Sequence, residues 1–262
     1  MVQFAGPMDA VPPKPALDRP SEIGLSPKRV AIGLILIGAF LFTAQAFVLV
    51  MKYGFDREYL FGLAAKFHLN KEMNVPTVTS TLILVGCAAM LSVNALLSPK
   101  GRRAAWWLLA AVFLFLGYDE SMQIHEMLSG SVHRTFQADW VPAFAWVLPY
   151  GAAIIVLAVV LLPWFLALDR ASQISFFLAG VIYVGGALGI ELLEGMSFSS
   201  IDQSLSVEGL RAANHSLPHE LLTTTQECME YIGSAFFLYL LVKRVGGLRL
   251  VPGPGLLPQA AS

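Results

Sequence analysis

Charge is scarce in this sequence: only 13% of its 262 residues are Asp, Glu, Lys or Arg, against 56% that are hydrophobic. An ordinary soluble domain carries about a quarter charged residues, so that class is excluded. Cysteine is scarcer still. The two present, Cys87 and Cys228, both fall in apolar runs, which argues against a disulfide framework and reads them as packing residues. A Walker loop, a dinucleotide fingerprint, a Gly-x-Ser-x-Gly elbow and a basic surface are all missing, so nucleotide-driven chemistry and nucleic-acid partners have no support. No internal repeat marks an inverted-repeat transporter, because the two Glu-x-x-Glu pairs sit at opposite ends of oppositely directed segments.

What the sequence does have is long apolar runs. Six approach the roughly 20 residues that a bilayer-spanning helix needs: about 30 to 51, 77 to 98, 104 to 126, 142 to 166, 173 to 195 and 218 to 242. The expected fold is all-α, a polytopic membrane bundle of about six transmembrane helices over residues 30–245. The Pro-rich stretch 1–29 ("VPPKP") and the Pro- and Gly-rich stretch 246–262 ("VPGPGLLPQAAS") read as flexible cytoplasmic tails. Lys28 and Arg29, the Lys100–Arg103 turn, and Lys243 and Arg244 outvote the mixed-charge loop after the first run, so the positive-inside rule places both termini in the cytoplasm. Trp106, Trp107 and Trp164 would then mark the inner interface and Trp140 the outer one. Gly185 and Gly189 have GxxxG spacing, which suggests a buried fifth span.

Within these runs lies an unusual set of carboxylates. "YDESMQIHE" ends the third run with Asp119, Glu120, His125 and Glu126; "ELLE" supplies Glu191 and Glu194 on the fifth; "ECME" supplies Glu227 and Glu230 on the sixth. No Lys or Arg shares their depth within the same run. Counting about 1.5 Å of rise per residue puts the three groups at similar heights, in the outer part of the membrane. A carboxylate at mid-helix costs about 2.5 to 3.5 kcal/mol on insertion scales, so a group of this size needs protons, water or a bound cation. Asp119, Gln123 and Glu126 follow i, i+4, i+7 on one face of a continuous helix, whereas His125 falls about 100° away and joins the site only if that helix end is distorted or the site is wide.

Carboxylates with one or two imidazoles suit a divalent ion: iron, manganese or zinc, one or two per chain. The candidate ligands are Asp119, Glu126, Glu191, Glu194, Glu227 and Glu230, with Glu120, His125 and His219 as candidate catalytic groups. In its logic the set resembles the carboxylate-bridged dimetal helix-bundle proteins, although those use Glu-x-x-His pairs and this chain has none. "SMQIH" and "HSLPH" resemble the Ser-x-x-x-His and His-x-x-x-His elements of the membrane hydrolases that include alkaline ceramidases and the progestin and adiponectin receptor family, which implies zinc-dependent amide or ester hydrolysis. "NVPTVTSTLILV" with "YDESMQIHE" resembles a group of uncharacterised bacterial multi-pass proteins, which implies a bacterial inner membrane.

Two functions follow. The first is a metal-dependent enzyme, oxidoreductase or hydrolase, acting on a membrane lipid or lipid-like molecule in the outer half of the bilayer. The second is a cation or proton transporter using the same carboxylates, against which stands the near-absence of polar residues other than Asn94 in the cytoplasmic half. His68 and His133 read as loop residues, Met122, Met127, Met196 and Met229 as packing, and Tyr118 and Tyr231 as possible hydrogen-bond donors to the acids. Nothing in the sequence sets an oligomeric state.

Overall fold

Ser26 opens the first helix by accepting a hydrogen bond from the Arg29 amide, and Pro27 supplies the preorganised first turn. The computed structural model describes residues 23–57, 59–71, 73–136, 145–199 and 216–250; Trp140, Glu208 and His215 lie outside them. Helix α1 spans Pro27–Phe55 and ends at Asp56 in the left-handed region, followed by a short 3-10 turn and helix α2, Leu63–Phe67. Asn74 caps α3, Val75–Leu97, through the Thr77 amide. A tight turn at Lys100–Arg102 returns the chain as α4, Arg103–Met122, followed by α5, Ile124–Phe136. Then come α6, Val147–Leu166, and α7, Arg170–Val184, capped by Asp169 through Ser172. A π-helical stretch, Gly185–Ile190, leads into α8, Glu191–Ser199, and the last helix, α9, covers Leu217–Arg244.

Outside the helices, Ile23–Leu25 (β1) pairs antiparallel with Leu248–Leu250 (β2), Gly24 opposite Arg249. Residues expected in two tails thus form a small ribbon that ties the ends of the first and last helices together. This is the ribbon end of the bundle; the end carrying Glu191 and Glu220 is the acidic end.

Among the described residues, four segments are long and apolar enough to cross a membrane: Pro27–Phe55, Val75–Leu97, Val147–Leu166 and Arg170–Gly195. Their outward faces are apolar, with Ile35, Phe40, Ile155, Val159 and Phe177 exposed, as a lipid-facing surface requires.

Helix α9 is the centre of the bundle, packing on α1, α3 and α7, while α3 and α4 form a close antiparallel hairpin. Cys87, Leu91, Ala95, Trp106 and Leu241 are fully buried where these helices meet. Trp106 is therefore core rather than interface: it meets Trp164 edge-on at 4.8 Å, while its neighbour Trp107, about 100° round the helix, faces out. Cys87 and Cys228 are both free thiols.

The close approach of α7 and α9 does not use the GxxxG pair. A Cβ on Gly233 would lie 2.6 Å from the Tyr183 backbone nitrogen, and one on Gly186 would lie 2.9 Å from the Gln226 carbonyl oxygen, whereas one on Gly189 would meet nothing within 4 Å. Glycine is needed at Gly186 and Gly233, where backbone meets backbone. Helix α6, by contrast, makes few close contacts with any other helix.

Candidate functional site

Between α6 on one side and α4, α7 and α9 on the other lies a chamber of about 1070 Å³. Leu69 and Asn70 reach it at the acidic end, and at the ribbon end its walls are Trp164, Phe165, Phe176 and Phe237. Its lining on α6 runs from Trp146 to Phe165, a length of roughly 28 Å at 1.5 Å per residue. Along most of that length the walls are Leu, Ile, Val, Ala and Phe.

All the candidate carboxylates line this one chamber: Asp119, Glu120 and Glu126 from the α4–α5 junction, Glu191 and Glu194 from α8, Glu227 and Glu230 from α9. Among the candidate catalytic groups His125 lines it too, while His219 stands behind Glu194, its Nε2 3.1 Å from Oε1. Asp119, Glu191 and Glu194 are buried.

Two backbone irregularities bring these groups in. At Gln123 the chain adopts φ 54 and ψ 38, which ends α4 and starts α5 in a new direction. The expected continuous face of Asp119, Gln123 and Glu126 does not exist; the break instead carries His125 back to Asp119. The Asp119 carboxylate accepts the His125 amide at 2.9 Å through Oδ1 and lies 3.3 Å from Nδ1 through Oδ2. This is the helix-end distortion that His125 required. The π-helical stretch does the same on the other wall, since the added residue in its turn rotates the helix that follows and aims Glu191 and Glu194 into the chamber.

Each deep carboxylate has an identifiable neighbour. Trp146 Nε1 donates to Glu191 at 3.2 Å, Thr223 Oγ1 donates to Glu194 at 2.6 Å, and Gln226 Nε2 donates to Glu230 at 3.2 Å. Glu191, Glu230, Glu120 and His125 are near enough to act on one another electrostatically. Among the described residues no Lys or Arg bridges Asp119, Glu191, Glu194 or Glu230. Nor, among those residues, is any group of three or more His, Cys, Asp or Glu side chains arranged to hold a metal ion. Oxygen donors with an imidazole are the chemistry that iron, manganese or zinc would accept there.

Among the described residues, two polar atoms in the chamber lining, Trp164 Nε1 and Gln226 Oε1, are buried with no hydrogen-bond partner. Trp146, Tyr150 and Tyr183, all in the lining, are aromatic residues of the site that the sequence did not disclose. The i, i+4 spacing of Trp146 and Tyr150 in "WVLPYG" was the available signal. The tyrosines that sequence proximity favoured lie elsewhere: Tyr118 is exposed, and Tyr231 donates to the Leu34 carbonyl at 2.6 Å, tying α9 to α1.

His68 is also placed differently from expectation. It is buried, not solvated, with Nε2 3.3 Å from Glu220, whose other oxygen binds Lys52 Nζ at 2.8 Å. This triad joins α1, the segment after α2, and α9, apart from the chamber acids. The side chain of His133 lies outside the described residues. Ser121 pairs with Thr81 at 3.0 Å and with the Gly117 carbonyl, so it does not meet His125.

Residues 31–244 match a family described only as a domain of unknown function, DUF8692, and the chain belongs to that family. No curated protein and no solved structure matches it.

Proposed function

We propose that this DUF8692 member is a membrane-embedded, metal-dependent enzyme that acts on a lipid-like substrate, whose chain lies in the apolar part of the chamber and whose reacting group lies among the carboxylates. The carrying observation is the chamber itself. One continuous space holds the candidate acids and His125 at one end and an apolar channel at the other. Ligand sites of about 300 to 1000 Å³ with a few convergent polar groups are the usual form of small-molecule sites. In this reading the bundle has six transmembrane spans, with both termini cytoplasmic and the acidic end in the outer half of a bacterial inner membrane.

His125 is the candidate proton carrier. Asp119 fixes its ring through Nδ1, so Nε2 is the nitrogen left to take or give a proton, the orienting relation that serves general acid–base catalysis. His219 stands in the same relation to Glu194 with its nitrogens exchanged. A divalent ion, drawn to Glu120, Glu227 and Glu230 with Glu191 near by, would supply Lewis acidity or an activated water or oxygen. Asp119 and Glu194 then orient histidines rather than serving as the main ligands.

The transport reading has less support. At the ribbon end the chamber is apolar, and Asn94 is spent on the Met90 and Leu241 carbonyls of the core. Among the described residues, no carboxylate lines that half to receive an ion.

The test is to incubate purified protein with a total membrane lipid extract, alone and with iron, manganese or zinc, and to follow lipid species by mass spectrometry. One species should be consumed, and His125→Ala and Glu191→Gln should each slow its loss at least a hundredfold. An unchanged lipid profile under every metal condition would overturn the enzyme reading. Elemental analysis of the same protein should return one or two such ions per chain, and a metal-free active protein would remove the metal from it.

A further inference from the structure

Resting on that reading, the walls of the acidic end narrow the chemistry of the substrate's head. Trp146 and Tyr150 stand one helical turn apart on α6 with ring centroids 5.0 Å apart and planes at 85°, forming a right-angled aromatic corner. Glu191 is hydrogen-bonded to the Trp146 side of that corner, and Asp119 lies close to Tyr150. A π face beside a carboxylate attracts a cation twice over, through the ring quadrupole and through the charge. Opposite, the Gln226 amide lies between Glu191 and Glu230 with its nitrogen used as donor, which leaves Oε1 as a buried acceptor with no partner. A buried acceptor without a donor is costly and calls for a ligand that brings one. A hydroxyl head would bring one O–H donor and no charge. A protonated primary amine brings three donors and a positive charge, which no Lys or Arg among the described residues supplies to Glu191, Glu230 or Asp119.

We infer that the substrate head is a protonated amine: the chamber takes a long-chain amine or an amine-bearing lipid, with its ammonium set between Trp146, Tyr150, Glu191 and Gln226 Oε1. The chain runs toward Phe176 and Phe237. The roughly 28 Å of lined length accommodates a long alkyl chain without folding it back. Glu120, Glu227 and Glu230 face the same space from α4 and α9, so the amine and a divalent ion share the charge of the acids rather than exclude each other.

The test measures binding of radiolabelled hexadecylamine to the full-length protein in neutral-detergent micelles, with hexadecanol as the equal-length competitor. Hexadecylamine should bind at least tenfold more tightly than hexadecanol. Glu191→Gln and Gln226→Leu should each weaken the amine at least tenfold and leave hexadecanol unchanged, a split that a misfolded variant would not give. Equal binding of amine and alcohol would overturn the ammonium assignment and leave the lipid chamber standing. Binding of neither would overturn the lipid reading as well. Displacement of the amine by zinc, mole for mole, would also overturn the assignment and mark the corner as a metal site.

Discussion

The two sides of the bundle are built differently. On one, α1, α3, α4 and α9 meet around Leu41, Cys87, Leu91, Trp106 and Leu241, and 44% of the apolar stretch of α3 is buried. On the other, α6 stands off from its neighbours and the corresponding figure is 11%. Both helices are about equally apolar, with mean hydropathies of 2.0 and 2.3, so hydrophobicity does not explain the difference. What differs is what lies between the helices: side chains on the packed side, a chamber on the other. Stability should therefore reside on the packed side and binding on the hollow one.

The sharpest way to break that division is at Glu220. Glu220→Ala removes the partner of Lys52 and His68 and leaves buried charge uncompensated, which should cost about 3 to 5 kcal/mol; the unfolding midpoint in detergent would fall steeply. Next comes Gly233→Val, which drives a side chain into the Tyr183 backbone and should cost about 3 kcal/mol by the same measurement. On the hollow side the sign changes. Gln123→Gly relieves the left-handed strain of a non-glycine residue and should stabilise by about 1 kcal/mol with the His125–Asp119 pair retained; destabilisation would mean that α4 runs on through this point. The smallest effect is expected at Gly189→Ala, with open space around it, at within about 0.5 kcal/mol. A large loss there would show that α7 and α8 have a partner the chamber does not accommodate.

Much of the architecture was legible in the sequence because apolar length is a direct signal. The run expected at about 77 to 98 is Val75–Leu97, and the one at about 173 to 195 is Arg170–Gly195. The gathering of acids was legible too, because helical rise is constant enough for residue counting to place Asp119, Glu191 and Glu230 at one height. What the count could not supply is rotation. The break at Gln123 and the π turn at Gly185–Ile190 each reset the direction of everything beyond them, and no local composition announced either. For the same reason Gly185 and Gly189 drew attention by spacing while Gly186 and Gly233, which do the packing, did not. The Lys52–Glu220–His68 triad was hidden because its members are far apart in the chain and only the turn after α2 brings them together.

The position of α9 also sets a timetable for biosynthesis. It follows α1, α3 and α7 in the chain, yet all three pack on it, and the ribbon that joins Ile23–Leu25 to Leu248–Leu250 closes later still. Until Leu217–Arg244 has been translated, α1 lacks the helix it packs on most, and the α8 acids Glu191 and Glu194 lack Gln226 and Thr223. Full assembly thus waits for α9, and a truncation that loses it keeps the α3–α4 hairpin but removes the helix on which α1, α3 and α7 all pack.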